Sequence, residues 1–512
     1  MGIPSFYRQL CRQFPHIISR DISVASQWLC LDFNCAMYHV LRLMPAFPAF
    51  PALGDAGSTK KWETAFCDAI VAYLEEIIVV AKPTEGIYVS CDGVVCAAKR
   101  RQQRLRRFKG PWVAAAEPTA KVATESWDQN ALTPGSAFMA QLGVALTVAG
   151  KRIAHKTGLT VVVSTTSEPG EGEHKLLTHM RSLDGLGTCT IYGLDADLIL
   201  LSMLLMVDGV HVRLLREAQE FERHGAPAGW RTVDIHALSQ AIGVTGSDNI
   251  RDFVAAMSLL GNDFLPKSLT YTVRNDGIPL IVSILRTTGR LVVDGAIQRG
   301  ALIRLVEALA AGEEVAMTAA CVEAIKVRSR HTGGATPDEQ ALNEWNAQPA
   351  KWATILQLYN SNKRALRPDW RQIYRARFAE DSSPAAYCEG IAWVWDYYSG
   401  RAVDLGWSFD AHLPPLWSDI LDTLRVGAGS VVRPPPLTYT TYLPDWLHLL
   451  SVLPADSAKR LLPAKRLALL TQKPWYWPTQ FAFFDVGRTQ MWECEVVIPI
   501  FPEAVLRSVT AL

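Results

Sequence analysis

Short hydrophobic runs alternate with helical stretches along the first half of the chain. The runs are residues 28–33 (WLCLDF), 86–91 (GIYVSC), 159–163 (LTVVV) and 188–192 (TCTIY). Continuous apolar runs of this length are typical of strands that are buried on both faces. Stretches between and after them, such as residues 61–81 and 198–206, have an apolar pattern that suits helices. This alternation predicts an α/β fold with a mainly parallel central sheet flanked by helices.

Acidic residues lie where these predicted strands end. Two motifs, residues 167–175 (SEPGEGEHK) and 192–198 (YGLDADL), each carry two carboxylates spaced two residues apart. Three more acids follow the first two runs and an apolar helical stretch at residues 252–260. The seven acids are Asp32, Asp92, Glu171, Glu173, Asp195, Asp197 and Asp263. Because the carboxyl ends of parallel strands meet at one edge of a sheet, we expect these side chains to lie close together.

The number of these acids decides between two interpretations. One acid after a strand is ordinarily a helix N-cap, but seven acids at five such places exceed what capping explains. Gathered carboxylates repel one another, and burying them unpaired costs free energy. Oxygen ligands suit Mg²⁺ or Mn²⁺, and two such ions are typical of in-line displacement at phosphorus. The sequence therefore predicts a phosphodiesterase site in which all seven acids are metal ligands and catalytic residues.

The most basic stretch of the chain is residues 99–109 (KRRQQRLRRFK), in which seven of eleven residues are Lys or Arg. Such a run is often a solvated helix face or a localisation signal. It comes shortly after Asp92, however, and Lys99, Gln103, Arg106 and Arg107 recur at helical spacing on one face. Guanidinium groups bind phosphate oxygens through paired hydrogen bonds. Binding of nucleic acid beside the acidic site is the alternative interpretation.

Several motifs occur together in one order. They are MGIPSFYRQL, LDFN, SCDG, TPGSAFM, EPGEGEHK, IYGLDADLILL, LLRE and LLGNDFLP. In this combination the chain resembles the Xrn family of 5′→3′ exoribonucleases, strongly over about the first 270 residues and more weakly over residues 387–509. It looks like a short form that ends after the second conserved region. The resemblance implies a PIN/FEN-like nuclease core and a mostly helical C-terminal region.

The resemblance also implies an activity. It is metal-dependent 5′→3′ degradation of single-stranded RNA with a 5′-monophosphate, releasing nucleoside monophosphates, in RNA decay or processing. Lys99, Gln103, Arg106 and Arg107 match the family's pocket for the 5′-monophosphate. Tyr38 stands where the family usually has a base-stacking histidine. Leu405 and Trp407 both fit the place of the opposing aromatic, and we choose Trp407 because only it can stack on a base.

The pattern divides the chain into three parts. We expect a catalytic nuclease domain over residues 1–270, a helical connection with a flexible insert over residues 271–350, and a helical region packing on the catalytic domain over residues 351–512. Two other functions stay open. One is a 5′ nuclease of the flap-endonuclease type acting on DNA, and the other is an RNA-binding scaffold without catalysis.

Composition limits which surfaces can bind nucleic acid and which compartment suits the protein. The 512 residues include 51 basic and 50 acidic ones, so any nucleic-acid surface must be local. None of the ten cysteines form a CxxC pair, which argues against a structural zinc site and suits a reducing compartment. No apolar run suits a signal peptide or a membrane span. We therefore expect a cytoplasmic or nuclear monomer that is neither secreted nor bound to a membrane, with single-stranded RNA as its partner.

Overall fold

The computed structural model describes residues 3, 5–22, 24–43, 56–116, 127–218, 229–330 and 332–510. Residues 45–58 are rich in Pro and Gly, which predicts a loop, and most of them lie outside these ranges. Three residues of the N-terminal motif also lie outside them. Among the described residues, no helix combines the length and apolar character needed to cross a membrane.

A seven-stranded sheet forms the centre of the N-terminal half. Its strands are β1 (Ile18–Ser19), β2 (Ser26–Asp32), β3 (Pro83–Ser90), β4 (Thr160–Ser164), β5 (Thr188–Tyr192), β6 (His211–Glu217) and β7 (Trp230–Asp234). They lie in the order β1-β7-β6-β5-β2-β3-β4. The five strands from β6 to β4 are parallel, and β7 and β1 add antiparallel pairs at one edge. The predicted mainly parallel sheet is confirmed.

Helices cover both faces of this sheet. They are α1 (Phe6–Gln13), α2 (Asn34–Leu43), α3 (Ala56–Ala81), α4 (Ala97–Ala116), α5 (Ala137–Thr157), α6 (Gly172–Arg181), α7 (Asp197–Val207), α8 (Ile235–Ile242) and α9 (Ser247–Met257). In β2, Leu29 and Leu31 belong to the core shared with α2, α3 and α5. Trp28 and Cys30 alternate with them and contact the core formed with α1 and α6 to α9. Both faces are apolar, which explains why the strands appear as continuous hydrophobic runs.

The rest of the chain is mostly helical, as predicted. Its helices are α10 (Gly277–Thr288), α11 (Arg299–Ala311), α12 (Glu313–Arg328), α13 (Pro337–Asn346), α14 (Gln348–Trp352), α15 (Trp370–Ile373), α16 (Pro384–Ser399), α17 (Trp417–Val426), α18 (Asp445–Val452), α19 (Ala455–Leu461), α20 (Ala468–Gln472) and α21 (Glu503–Thr510). Short strands join them: β8 (Val292–Val293), β9 (Ala296–Gln298), β10 (Tyr359–Asn360), β11 (Ala365–Leu366), β12 (Val431–Val432), β13 (Ala482–Phe484) and β14 (Glu495–Val497). Helix α13 lies inside residues 329–350, the stretch predicted to be a flexible insert.

Two local predictions differ from the structure. The TPGSAFM motif of residues 133–139 predicts a helix start with Thr133 as its N-cap, but Ser136 caps α5 by accepting the N–H of Met139 at 3.1 Å. Gly135 has a φ of +90°, a left-handed conformation that interrupts any helix between Thr133 and Ser136. The sequence of residues 352–378 predicts a helical stretch, but the hairpin of β10 and β11 occupies its centre.

Helix α4 joins the two halves of the protein. Leu105 and Phe108 pack with leucines of α18, and with Val496 of β14, in one apolar cluster. The side of α4 that faces the C-terminal half is thereby buried. The opposite side is the one that carries the predicted phosphate-binding residues.

Candidate active site

The carboxyl edge of the parallel sheet gathers the predicted acids. Asp32 is the last residue of β2, and Asp92 follows β3 by two residues. Glu171 is the N-cap of α6 and Glu173 lies in its first turn, while Asp197 begins α7. Strands β3 and β5 pair with β2 on opposite sides, so the strand order reverses at β2. In open α/β sheets such a reversal is where ligands bind.

Gly172 lets the two glutamates lie directly against the strand ends. Its N–H donates to Asp92 Oδ1 at 2.7 Å, and its carbonyl accepts from Ser90 Oγ at 2.8 Å. A Cβ placed on Gly172 would lie only 2.8 Å from Asp32 Oδ1. The small residue between Glu171 and Glu173 therefore brings both carboxylates to those of Asp32 and Asp92.

Burial raises the free energy of the ionised form of these carboxyl groups. Burial, and then the nearby Asp92, raise the pKa of Asp32 well above its usual value. Burial and Asp197 do the same to the pKa of Glu173. Burial outweighs the attraction of Lys99 and raises the pKa of Asp197 to about 7, with Asp195 and Asp263 adding repulsion. The carboxyl groups thus act on one another as a cluster.

The unpaired oxygens of this cluster fit a metal ion. Among the described residues, both carboxylate oxygens of Asp197 and Oε1 of Glu173 are buried without a hydrogen-bond donor. One ligand atom each from Glu171, Glu173 and His174 lie within 4.8 Å of one another. Burial lowers the pKa of His174 to about 3, which keeps its imidazole neutral, the form that binds metals. The sequence reasoning passed over this histidine, although EGEHK displays it.

Lys99 lies inside the acidic cluster. Its Nζ is 2.5 Å from Glu171 Oε2 and 2.8 Å from Asp263 Oδ2, and its side chain is only 10% exposed. Burial alone would lower the pKa of Lys99, but Asp263 and Glu171 outweigh it and the pKa is raised. The residue predicted to bind phosphate therefore makes its ion pairs with two predicted metal ligands.

Contacts with neighbouring side chains and backbone groups orient Glu171 and Asp263. Tyr397 of α16 donates its hydroxyl to Glu171 Oε1 at 2.6 Å. Asn262 Oδ1 accepts the N–H groups of Phe264 and Leu265, which forms the turn that presents Asp263. The ring of Phe264 packs edge-on against Tyr397, with centroids 5.2 Å apart. Tyr397 was not among the predicted site residues, although its helix lies in the region expected to pack on the catalytic domain.

The rest of the predicted phosphate pocket lies on α4 beside the acids. Gln103 and Arg107 are buried, and Arg107 Nη1 donates to Gln103 Oε1 at 3.0 Å, whereas Arg106 is exposed. Burial lowers the pKa of Arg107 to about 10, against the attraction of Tyr38 and Asp92. Tyr38 is half-buried on α2. It lies close enough to Arg107 to affect the pKa of the guanidinium group.

Trp407 lies beside the N-terminal part of α4. Its ring packs against Trp393, with centroids 4.9 Å apart. It lines a cavity of about 300 Å³ together with Arg100 and Arg101. The opposed stacking of Tyr38 and Trp407 on one base stays a prediction.

Other basic residues of α4 are structural. Arg104 is 2% exposed and donates to the carbonyls of Ser451 at 2.7 Å, Pro499 at 3.2 Å and Tyr476. Neither interpretation of the basic run, solvated face or RNA surface, anticipated this use. Half of the run anchors the C-terminal half, and the other half faces the acidic cluster.

Comparisons with known proteins agree with this geometry. Residues 1–218 match the family model described as XRN 5′-3′ exonuclease N-terminus. Over these residues the chain is similar to the Xrn 5′-3′ exonucleases. Xrn relatives include a 5′-3′ exoribonuclease 1 of Homo sapiens, 26% identical over 98% of this chain and 34% of the relative. A 5′-3′ exoribonuclease 2 of Eremothecium gossypii is 30% identical over 56% of this chain and 38% of the relative.

The chain spans about a third of the length of these Xrn relatives. A solved structure titled "The catalytic core of Rad2 in complex with DNA substrate (complex III)" overlaps 83% of this chain and 93% of its own, with a TM-score of 0.32 and 13% identity. That overlap is too loose to bear on function. The similarity to the Xrn exonucleases rests on the sequence matches.

Proposed function

We propose that this protein is a metal-dependent 5′→3′ exoribonuclease that removes nucleoside monophosphates from single-stranded RNA with a 5′-monophosphate. The observation that carries the proposal is the acidic cluster with its buried, donor-free oxygens on Asp197 and Glu173, directly beside the Gln103 and Arg107 side of α4. The acidic cluster attracts cations, and the Gln103 and Arg107 side of α4 attracts phosphate. The two surfaces together suit a phosphodiester that contacts both.

The seven acids would hold two divalent cations, Mg²⁺ or Mn²⁺. The ligands would come from Asp32, Asp92, Glu171, Glu173, Asp195, Asp197 and Asp263, with His174 close enough to contribute. When bound, such ions supply an activated water and stabilise the leaving 3′ oxygen. Tyr397 and Lys99 fix the orientation of Glu171 through their contacts with its two oxygens.

The basic side of α4 would fix the 5′ end of the RNA. Gln103, Arg106 and Arg107 offer amide and guanidinium donors to the terminal phosphate. An ammonium group has three donors, and Glu171 and Asp263 use two of those on Lys99. We propose that its third N–H serves the phosphate, which links end recognition to the metal ligands. Tyr38 and Trp407 would contact the first base without reading its identity.

A direct test uses one RNA with a 5′-monophosphate, 5′-hydroxyl or 5′-triphosphate and a label at its 3′ end. Purified protein and Mg²⁺ are added, with EDTA and an Asp195→Ala/Asp197→Ala variant as controls. We expect only the monophosphate species to shorten to a 3′ remnant, and both controls to abolish shortening.

Each other outcome contradicts part of the proposal. Equal cutting of all three ends would refute the phosphate pocket and favour an endonuclease. Cutting of flapped DNA but not of RNA would favour the flap-endonuclease alternative. RNA binding without any cutting would favour the scaffold.

A further inference from the structure

A basic segment of the C-terminal half lies outside the candidate site. Between Asp456 and Asp485 the sequence has no acidic residue, although acids and bases are nearly equal in number over the whole chain. The cations there and one aromatic residue form what we call the basic strip: Lys459, Arg460, Lys465, Arg466, Lys473 and Trp475.

The charges of the basic strip are poorly neutralised. Lys459, Arg460 and Lys465 are exposed, and Arg466 and Lys473 are partly exposed. Lys459 reaches Asp456 at 3.6 Å, a long contact between exposed side chains, where ion pairs are weak. Arg460 reaches the partly buried Asp128 only at 3.9 Å. Within the described part of the chain, the other three cations form no ion pair. A local excess of positive charge follows, and it attracts a polyanion.

Aromatic rings accompany these cations. The guanidinium of Arg466 lies 4.2 Å from the ring centroid of Trp446, and Nζ of Lys473 lies 5.4 Å from that of Trp475. Trp475 is 56% exposed, unusual for so large an apolar side chain.

The exposed ring of Trp475 is on an anchored turn. The neighbouring Tyr476 stacks on Phe501, with centroids 4.0 Å apart. Trp477 donates its indole N–H to the carbonyl of Leu453 at 3.0 Å. The two residues that follow Trp475 are thus anchored to the C-terminal half, which holds the exposed ring in a fixed place.

The basic strip begins near the predicted 5′-phosphate pocket. Asn130 Nδ2 donates to Ser457 Oγ at 3.0 Å, which joins the start of α19 to the loop before α5. Asp128 in that loop is close enough to act on the charge of Arg107. At the other end of the strip, Arg104 of α4 donates to the carbonyl of Tyr476. The strip and the pocket residues are therefore fixed to the same helix.

We propose that the basic strip is a second binding surface, for the single-stranded RNA that follows the 5′-terminal nucleotide. Unpaired cations interleaved with open aromatic faces are the features that bind a single strand without sequence preference. The proposal rests on the proposed exoribonuclease function, because that function supplies an RNA whose 5′ end is fixed next to Arg107. An RNA long enough to leave the pocket then reaches the strip, and a very short one does not.

The test compares RNA lengths. Fluorescence anisotropy is measured in EDTA with 5′-monophosphate RNAs of four and of about 20 nucleotides. The variant is Lys465→Glu/Arg466→Glu/Lys473→Glu. Its matched control, Lys326→Glu/Arg328→Glu/Arg330→Glu at and just beyond the end of α12, makes the same charge change at exposed positions. Trp475→Ala tests the aromatic contribution separately, and thermal unfolding confirms that each variant folds.

For the longer RNA we expect the strip variant to raise Kd at least about 10-fold, and to reduce the slope of log K against log salt by about 2. Trp475→Ala should raise the same Kd by about 5-fold or more. Neither should change binding of the tetranucleotide, and the α12 control should change nothing.

Unchanged affinity and salt slope for the longer RNA in the strip variant would overturn the proposal. So would an equal loss in the α12 control, since that would show only a net-charge effect. Wild-type cleavage of the three differently ended RNAs is scored separately. Cleavage with no length-dependent loss refutes the strip alone, while length-dependent loss without cleavage refutes the exoribonuclease and leaves the strip standing.

Discussion

Gly172→Ala is the most selective perturbation of the candidate site. The added Cβ would lie 2.8 Å from Asp32 Oδ1, 3.3 Å from the carbonyl oxygen of Ser90 and 3.4 Å from Asp92 Oδ1. Ordinary contacts begin at 3.4 Å, so α6 and the Asp32 carboxylate must move apart by the difference. The backbone of Gly172 is helical, where alanine is favoured over glycine by up to about 1 kcal/mol. The added methyl group therefore strains the contacts with Asp32, Ser90 and Asp92, and it does not strain the backbone of α6.

We expect kcat on 5′-monophosphate RNA to fall about 100-fold, because displacements on the ångström scale cost about that much in a preorganised site. This corresponds to about 2.7 kcal/mol of transition-state stabilisation. The Mg²⁺ concentration for half-maximal activity should rise, while Tm changes little. Stopped time courses across a Mg²⁺ titration measure the first two quantities, and calorimetry measures the third.

Gly300→Ala provides the matched control. Gly300 is also near the start of a helix, but its added Cβ would meet only a terminal arginine nitrogen at 3.7 Å. This variant should keep full activity. A Gly172→Ala protein with normal kcat and normal Mg²⁺ dependence would refute the claim that α6 places its glutamates against Asp32 and Asp92.

Three further predictions concern the partners of the acids. Lys99→Met should lower the free energy of unfolding by about 3–5 kcal/mol in EDTA, because Glu171 and Asp263 lose a buried counter-charge, and urea titration measures the loss. Tyr397→Phe should raise the Mg²⁺ requirement about 10–100-fold through loss of the hydrogen bond to Glu171, as measured by initial rates. Asp197→Asn should raise Tm in EDTA, because a buried charge without a donor is removed, and should weaken the stabilisation that Mg²⁺ gives in thermal scans.

Controls and contrary results are specific to each variant. Tyr374→Phe removes another buried hydroxyl, which donates to the carbonyl of Pro414 at 2.8 Å, and it should leave the Mg²⁺ requirement unchanged. If Tyr374→Phe and Tyr397→Phe shift that requirement equally, the contact with Glu171 has no special role. A stable Lys99→Met protein would show that the two acids are not paired with Lys99 in solution. A lower Tm for Asp197→Asn in EDTA would mean that the carboxylate has a donor.

Much of the site was predictable from the sequence because its signals are local. The runs that form β2, β3 and β5 are largely buried on both faces, and the run of the edge strand β4 is partly buried, so all four are hydrophobic stretches in the sequence. The acids follow those strands directly, and parallel strands bring their ends to one edge. The EGE and DAD spacings at Glu171 and Asp195 thus sufficed to predict a carboxylate cluster. The helical spacing of residues 99–107 likewise predicted one shared face, and Gln103 and Arg107 do form a hydrogen bond.

Tertiary structure alone decided which partner each side chain has. Lys99 pairs with Asp263 across 164 residues, Tyr397 with Glu171 across 226, and Arg104 with Tyr476 across 372. Periodicity describes neighbours within a turn or a strand, and such long-range contacts depend on how helices pack after the sheet has formed. The same limit applies to Trp407: its ring lies beside Arg100 and Arg101, and its stacking on a base stays a prediction. The sequence by itself thus determined the chemistry of the groups at the sheet edge. Packing of α4 and α16 against that edge determined which of them are paired and which stay unpaired.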